Sequence, residues 1–270
     1  MKSDNVSMPT LGGAWNFRDV ADAAGLRPGR FFRSSELSTL QQDGRDELRR
    51  LGITDVADLR SPREVERRGP GQVPDDVAIH LLPFPDLATD DDDAPHVHSF
   101  TRMLTEQPGD EPATDAAIRY MTEEYWRFAT LGGARNAVRQ VISLLGSGRP
   151  VITHCFAGKD RTGFTVAVVL EALGVDRDAI AADYLRSNNA IPELRARILE
   201  MVNEHADSEL TPEAVMFAEA RLSDEVLGVR EEYLVAARSS IDDGYGSLDG
   251  FLQSAGVSVA DIDALRAALL

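Results

Sequence analysis

The residues of this chain best suited to chemistry form a short run around its single cysteine. Five residues separate Cys155 from Arg161, and positions 154–163 read His-Cys-Phe-Ala-Gly-Lys-Asp-Arg-Thr-Gly. A thiol and a guanidinium at this spacing predict a nucleophile beneath an anionic tetrahedral group whose oxygens the arginine holds. The apolar stretch 151–153 precedes the run, and 164–173 reads as a buried helix. The order strand, tight loop, helix suits a phosphate-binding loop.

The backbone of this loop is expected to bind the phosphoryl oxygens. A helix N-terminus leaves N–H groups unpaired and carries a partial positive charge, so a loop folded onto it binds a dianion. Glycines let the backbone approach the oxygens closely. A cysteine in such a position, beside cations, is commonly a thiolate at neutral pH. The predicted substrate-binding positions of the loop are Phe156, Ala157, Gly158, Lys159, Thr162 and Gly163.

Two aspartates are candidates for the proton carrier that phosphoryl transfer needs. An acid must protonate the departing oxygen, and a base must then activate water. Asp160 lies inside the loop and is favoured, while Asp86 follows an apolar run and is the supporting or alternative acid. The hydroxyl of Thr162 can donate to the cysteine sulfur and ease its departure.

Ordinary structural roles compete with these chemical ones. A lone cysteine beside an apolar strand is usually an inert core residue. Three consecutive charged or polar positions, Lys159 to Arg161, argue against that role here because a buried core would not tolerate them. His154 either orients the thiolate or holds the loop as a structural imidazole. Lys159 either meets a second anionic group of the substrate or is solvated at the rim.

The loop sequence His-Cys-x-x-Gly-Lys-Asp-Arg-Thr-Gly resembles the signature of bacterial protein-tyrosine phosphatases that also act on phosphoinositides. Further ordered matches cover nearly the whole chain; they lie at 14–20, 32–37, 52–61, 82–87 and 183–188. The resemblance implies one cysteine-phosphatase-like domain over residues 1–270, with a two-helix C-terminal lid over the active site between Glu200 and Leu227.

The same resemblance implies a role for each matching residue. Cys155 is the nucleophile, Arg161 the phosphate clamp and Asp160 the acid within the loop. Asp86 matches a second carboxylate, and Lys159 matches the residue that admits inositol phosphates. The implied activity is hydrolysis of phosphotyrosine through a phosphocysteine intermediate, with phosphoserine, phosphothreonine and phosphoinositides as further substrates.

The order of predicted elements independently fits an α/β domain with a central, mainly parallel sheet flanked by helices. Strands are predicted at 54–59, 77–82 and 151–153, with a polar connection at 63–74. Helices are predicted at 37–51, 120–128, 134–145, 164–173, 176–188, 192–205, 212–222, 229–242 and 259–269. Ligands bind at the carboxyl edge of such a sheet, and Arg60 directly follows the strand predicted at 54–59. Arg60 is therefore a candidate for the border of the cleft; pairing with a surface carboxylate is the alternative.

Composition limits the partners. A net charge of −17 opposes association with nucleic acid or a broad anionic membrane surface. One cysteine excludes an internal disulfide. No cofactor or metal is predicted, because His96 and His98 lack further ligands at metal-binding spacing. With no signal peptide or long apolar stretch, the sequence predicts a soluble protein. It is expected to be cytoplasmic or, as the resemblance to the phosphatase family implies, exported without a recognisable signal.

Two other functions use the same loop features. A phosphatase-like binding module would capture phosphoproteins or inositol lipids without turnover; the presence of Cys155, Asp160 and Arg161 argues against it. A rhodanese-type sulfurtransferase also places a cysteine in an anion-binding loop, but that loop need not carry the arginine and acid found here.

Overall fold

The computed structural model describes residues 10–84, 112–206 and 222–270 of the chain. Three features of interest lie outside these ranges: Asp86, the pair His96 and His98, and positions 207–221 of the predicted lid. The helix predicted at 212–222 also lies almost wholly outside them.

Within the described residues the centre of the fold is a five-stranded sheet in the order β1-β2-β5-β3-β4. The strands are β1 Arg18–Asp19, β2 Phe31–Ser34, β3 Asp55–Asp58, β4 Ala78–Leu81 and β5 Val151–His154. Only the short β1 is antiparallel, pairing with β2; the other neighbours are parallel. The predicted mainly parallel α/β sheet is confirmed.

Helices surround this sheet. In chain order they are α1 Ala21–Ala24, α2 Gln42–Arg50, α3 Pro62–Arg68, α4 Ala113–Phe128, α5 Gly132–Gly146, α6 Asp160–Ala172, α7 Arg177–Leu185, a 3₁₀ turn Arg186–Ala190, α8 Ile191–Ala206, α9 Asp224–Leu227, α10 Glu231–Tyr245, α11 Leu248–Ser254 and α12 Val259–Leu269. None of these described helices has the length and apolar character needed to cross a membrane.

Alternate residues of the central strand supply two separate cores. Val151 faces the larger cluster, where the α5 residues Val138 and Val141 pack, and Ile152 faces the smaller cluster with Leu48 of α2. Successive side chains of a strand point to opposite faces, so a strand covered on both sides reads as a continuous apolar run. This explains why β5 was recognisable in the sequence.

Several boundaries differ from the sequence prediction. The connection predicted at 63–74 contains helix α3, which begins because Ser61 and Glu64 form a capping box around Pro62. The helix predicted from residue 37 starts only at Gln42, since Leu37 accepts a backbone hydrogen bond from Gln72. Strands β1 and β2 were not predicted. Arg18 of β1 and Arg33 of β2 pair with Asp183, which lies 165 and 150 positions away along the chain.

Candidate active site

The cysteine loop begins where the central strand ends. The carboxyl ends of the parallel strands β2, β5 and β3 lie at one edge of the sheet, the usual position of a ligand crevice. Cys155 follows β5 directly and is 2% exposed. Helix α6 starts at Asp160, inside the predicted loop and four residues earlier than the sequence indicated. The loop therefore runs from a central strand straight into a helix N-terminus.

The shape of the loop depends on a glycine. Gly158 has φ +64°, and a Cβ there would lie 2.0 Å from the carbonyl oxygen of Ser34. Both the left-handed backbone and the contact with β2 exclude a larger residue. At Gly163, the other glycine of the run, a side chain is excluded by a neighbouring ring: an added Cβ would lie 2.8 Å from the ring of Tyr184.

Outside residues bind the carbonyl groups of the loop. The Asn16 side chain donates to the Ala157 and Gly158 oxygens at 3.1 and 3.0 Å. Arg33 donates to the Gly158 oxygen at 2.8 Å, and the Glu36 amide donates to the Phe156 oxygen at 3.0 Å. Among the described residues no acceptor takes the N–H groups of positions 156–161. These amides are left available for an anion, as the sequence predicted for such a loop.

Arg161 is held by a carboxylate that sequence reasoning missed. Its two terminal nitrogens donate to both oxygens of Glu64 at 2.7 and 2.8 Å, and one also donates to the Leu59 carbonyl at 3.2 Å. Burial alone would lower the pKa of Arg161, but the charges of Glu64 and Cys155 outweigh it and raise the pKa. The guanidinium therefore stays charged and has a fixed orientation.

Glu64 is itself fixed by the start of α3. The Ser61 N–H donates to Glu64 Oε2 at 2.8 Å, and the Glu64 N–H donates to the Ser61 hydroxyl at 3.1 Å. The Ser-Pro-x-Glu pattern at 61–64 is a recognisable helix start. This pattern predicts the start of a helix. It does not predict that Glu64 pairs with Arg161, which lies 97 positions away along the chain.

Asp160 contacts a pair of tyrosines. The Tyr125 hydroxyl donates to Asp160 Oδ1 at 3.1 Å, and the Tyr184 hydroxyl donates to the Tyr125 oxygen at 2.7 Å. The Asp160 side chain is 24% exposed, whereas both tyrosines are fully enclosed. Neither tyrosine was a sequence candidate, because both lie far from the loop along the chain.

Lys159 lies beside the same carboxylate. Its Nζ is 3.8 Å from Asp160 Oδ2, and it donates a hydrogen bond to the carbonyl oxygen of Leu227 at the end of α9. The lysine side chain is 13% exposed. It is thus neither deeply buried nor fully solvated.

Two polar residues next to the nucleophile are buried. His154 Nδ1 lies 3.1 Å from the Cys155 carbonyl oxygen, and its Nε2 lies 3.7 Å from Asp58 Oδ1. Burial lowers the pKa of His154 despite the nearby Asp58 charge, which favours the neutral ring. This contact favours the structural interpretation of His154 over direct orientation of the sulfur. The Thr162 hydroxyl is buried without a hydrogen-bond partner among the described residues.

Arg60 lies in the interior and not at the border of the cleft. Its side chain is 0% exposed, and its nitrogens pair with Asp58 at 2.7 Å and with Glu36 at 3.3 Å. The expectation that it lines the cleft does not fit this position, because no part of the guanidinium reaches the surface. Asp86, the other candidate acid, lies outside the described residues.

C-terminal helices cover one side of the loop. Ala157 packs in an apolar cluster with Leu194 and Ile198 of α8 and with Leu227 of α9, and Phe156 lies against this cluster. Leu194 and Ile198 precede the region predicted as a lid, whereas Leu227 lies at its end and also accepts a hydrogen bond from Lys159. The Trp15 ring meets Phe156 edge-on with a centroid distance of 6.4 Å.

Known proteins resemble the chain along nearly its full length. A sequence model of the tyrosine phosphatase family matches residues 9–270. The triple specificity protein phosphatase PtpB of Mycobacterium tuberculosis is 62% identical over 270 residues, covering 96% of this chain and 98% of that protein. A Cupriavidus necator relative is 30% identical over 254 residues, covering 93% of this chain and 84% of its own length. A tyrosine-protein phosphatase of Nostoc commune is 26% identical over 248 residues, covering 88% and 74%.

Proposed function

The chain belongs to the tyrosine phosphatase family, and from this premise we propose that it hydrolyses phosphotyrosine through a phosphocysteine intermediate on Cys155. The family predicted from the loop sequence is confirmed. The observation that carries the proposal is the loop itself: a cysteine at the end of the central strand precedes a charged arginine and amides that have no acceptor within residues 10–84, 112–206 and 222–270. This combination binds a phosphoryl group directly above a nucleophile.

In the first step the sulfur of Cys155 attacks phosphorus. The S–P bond forms, the P–O ester bond breaks, and its electron pair leaves with the phenolic oxygen. Asp160 supplies the proton that this oxygen takes up. Arg161 and the loop amides hold the three equatorial oxygens, whose charge is spread in the transition state.

In the second step water attacks the phosphocysteine. Asp160, now a carboxylate, accepts a proton from the water as the new P–O bond forms. The S–P bond breaks, its electron pair returns to the sulfur, and inorganic phosphate leaves. The same residue thus acts as acid and then as base.

Lys159 is proposed to extend the substrate range. It is a second cation, two positions from Arg161, with part of its side chain exposed. A substrate with a further phosphate could bind it in place of the Leu227 carbonyl. The relative from Mycobacterium tuberculosis is named a triple specificity phosphatase. We accordingly propose phosphoserine, phosphothreonine and phosphoinositides as additional substrates of this chain.

Helices α8 and α9 are proposed to serve as parts of a lid. They pack on Phe156 and Ala157, and the α9 carbonyl of Leu227 binds Lys159. A cover at this position excludes water and oxidants from a reactive sulfur. The hydrogen bond from Lys159 to the Leu227 carbonyl links this cover to the loop.

A comparison of wild type with Cys155→Ser tests the reaction. Wild type should hydrolyse phosphotyrosine peptides, and Cys155→Ser should show no turnover while still binding them. A phosphorylated protein, trapped by rapid acid quench, should appear only with Cys155. Tight binding without turnover by the wild type would instead favour a binding module. A persulfide formed from thiosulfate, without phosphatase activity, would favour a sulfurtransferase and overturn the proposal.

A further inference from the structure

The acid carboxylate proposed above ends a chain of hydroxyl groups that the reaction scheme leaves unused. Tyr184, on α7, donates to Tyr125, on α4, and Tyr125 donates to Asp160 Oδ1 at the start of α6. The distances are 2.7 and 3.1 Å. These two hydrogen bonds connect three helices. Only Tyr125 contacts the carboxylate oxygen directly, and Tyr184 acts on it through Tyr125.

Both tyrosines remain hydrogen-bond donors at neutral pH. Burial, and next the Asp160 charge, raise the pKa of Tyr125 well above its usual value, and the same two causes raise the pKa of Tyr184. Neither hydroxyl is exposed to water, with the rings 0% and 1% exposed. A donor chain enclosed in this way is polarised along its length, so each bond strengthens the next.

The packing of the two tyrosine rings positions their hydroxyl groups. The Tyr125 ring lies 6.1 Å from the Tyr184 ring and 5.5 Å from the Tyr233 ring, measured between centroids. The Tyr184 ring approaches Gly163 so closely that a Cβ there would lie 2.8 Å from it. The last glycine of the loop sequence therefore lets this tyrosine reach the first turn of α6. Both rings are buried in the larger apolar cluster.

We propose that Tyr125, supported by Tyr184, is a positioning residue that binds Asp160 Oδ1 and thereby assigns the transferable proton to Oδ2. An oxygen that already accepts a hydrogen bond from Tyr125 is the poorer place for the proton. Oδ2 is the oxygen near Lys159, at 3.8 Å, and the Asp160 side chain as a whole is 24% exposed. This inference rests on the proposed role of Asp160 as the acid.

The experiment compares kcat/KM for phenyl phosphate with kcat/KM for 2,4-dinitrophenyl phosphate. The parameter kcat/KM reports only the steps up to the release of the phenol. Dinitrophenolate is a good leaving group that departs without a proton, so its ester does not depend on the acid. For Tyr125→Phe we expect a loss of ~10-fold on phenyl phosphate and of less than ~2-fold on the dinitrophenyl ester. A general distortion of the loop would lower both values equally and would overturn the proposal.

A double-mutant cycle separates action through Asp160 from other effects. If Tyr125 acts by positioning Asp160, then adding Tyr125→Phe to Asp160→Asn should change kcat/KM by less than ~2-fold. An additional loss of ~10-fold in the Asp160→Asn background would show that Tyr125 acts elsewhere. Tyr184→Phe alone should give a smaller effect than Tyr125→Phe, since the bond to Asp160 persists.

Two further variants protect the test against misfolding. Tyr125→Phe leaves the buried Tyr184 hydroxyl without an acceptor, whereas Tyr125→Phe with Tyr184→Phe removes both hydroxyls and keeps both rings. This double variant should show the same selective loss on phenyl phosphate. Tyr233→Phe is the matched control: its ring also packs on Tyr125, and its hydroxyl makes no hydrogen bond among the described residues, so wild-type kinetics are expected.

The outcome for Asp160→Asn distinguishes the two proposals. If Asp160→Asn loses activity selectively on phenyl phosphate and Tyr125→Phe does not, the positioning role is wrong and the acid assignment stands. If Asp160→Asn affects both esters equally, the acid lies elsewhere and both assignments are overturned, while Cys155→Ser still tests the phosphatase reaction by itself.

Discussion

Arg161 and Glu64 form a buried two-point pair, with nitrogen–oxygen distances of 2.7 and 2.8 Å. The pair connects the end of the cysteine loop to the first turn of α3. Planar matching of a guanidinium and a carboxylate restricts rotation of the arginine. The remaining donor edge of Arg161 is therefore oriented before any substrate binds, which reduces the entropy lost on phosphate binding.

Replacing Glu64 by Gln should impair phosphate binding by Arg161. An amide offers only one acceptor oxygen, so one arm of the guanidinium loses its partner. We expect kcat/KM for p-nitrophenyl phosphate to fall on the order of 100-fold, because small misplacements of a catalytic group have effects of this size. Inhibition by inorganic phosphate should weaken in parallel, which a competition assay measures.

Ser61→Ala is the control for that variant. It removes the helix cap but leaves the Glu64 carboxylate, so it should lower the free energy of unfolding by ~1 kcal/mol. The value of kcat/KM should stay near that of wild type. A loss equal to that of Glu64→Gln would mean that the cap, and not the ion pair, positions Arg161.

Gly158→Ala should inactivate the enzyme, and Gly174→Ala should not. Both glycines have positive φ, at +64° and +81°, but only Gly158 has a neighbour in the way, the Ser34 oxygen 2.0 Å from the added Cβ. Gly174→Ala should cost ~1–2 kcal/mol of stability from backbone strain. Gly158→Ala should cost more and also abolish phosphate inhibition, as measured by urea unfolding and kinetics. Normal activity in Gly158→Ala would contradict the loop geometry.

Asp183→Asn should destabilise the protein at neutral pH and much less in acid. Burial alone would raise the pKa of Asp183, but Arg33 and Arg18, at 2.6 and 2.7 Å, outweigh it and hold the pKa below the usual 3.8. The unfolded chain therefore takes up the proton first, so this stabilisation is full above pH 3.8 and is lost as the pH falls toward the folded value.

The size of this effect can be checked by chemical denaturation. Removing one partner of a buried pair typically costs ~3–5 kcal/mol, and the difference from wild type should narrow as the pH falls below 3.8. The control is Asp76→Asn, an exposed carboxyl for which no such difference is expected. A difference between Asp183→Asn and wild type that is independent of pH would show that packing, and not charge, is responsible.

Lys159→Ala should affect phosphoinositides more than phosphotyrosine. Only a substrate with a second phosphate gains a charge-assisted hydrogen bond from the lysine, which contributes ~1.5–3 kcal/mol. We expect kcat/KM to fall by ~10-fold or more on phosphoinositides and much less on a phosphotyrosine peptide. Lys159→Arg keeps a cation at this position, so it should retain part of the activity on phosphoinositides that Lys159→Ala loses. Equal losses on both substrates would remove the proposed role.

The parts of the fold that could be predicted are those with a local signal. Strand β5 was found because both of its faces are buried, and α12 was predicted with its observed bounds from its own sequence pattern. In the structure, Ser258 and Asp261 form a capping box at the start of that helix. The start of α6 was placed four residues late because Asp160 and Arg161 read as loop residues. In the folded protein the buried guanidinium of Arg161 pairs with Glu64, and the Asp160 carboxylate accepts a hydrogen bond from Tyr125.

A cysteine, a carboxylate and an arginine lie within seven consecutive positions, 155–161, so one loop brings them together and the proposed chemistry could be inferred from the sequence alone. The tertiary structure decided which residues hold that chemistry in place. Glu64, Tyr125, Tyr184 and Asn16 lie far from the loop along the chain, and Arg60, a candidate ligand by position, proved to be an interior ion-pair partner. Local spacing fixes contacts along one loop or helix, whereas contacts between elements depend on how the sheet and its helices pack, which no single segment encodes.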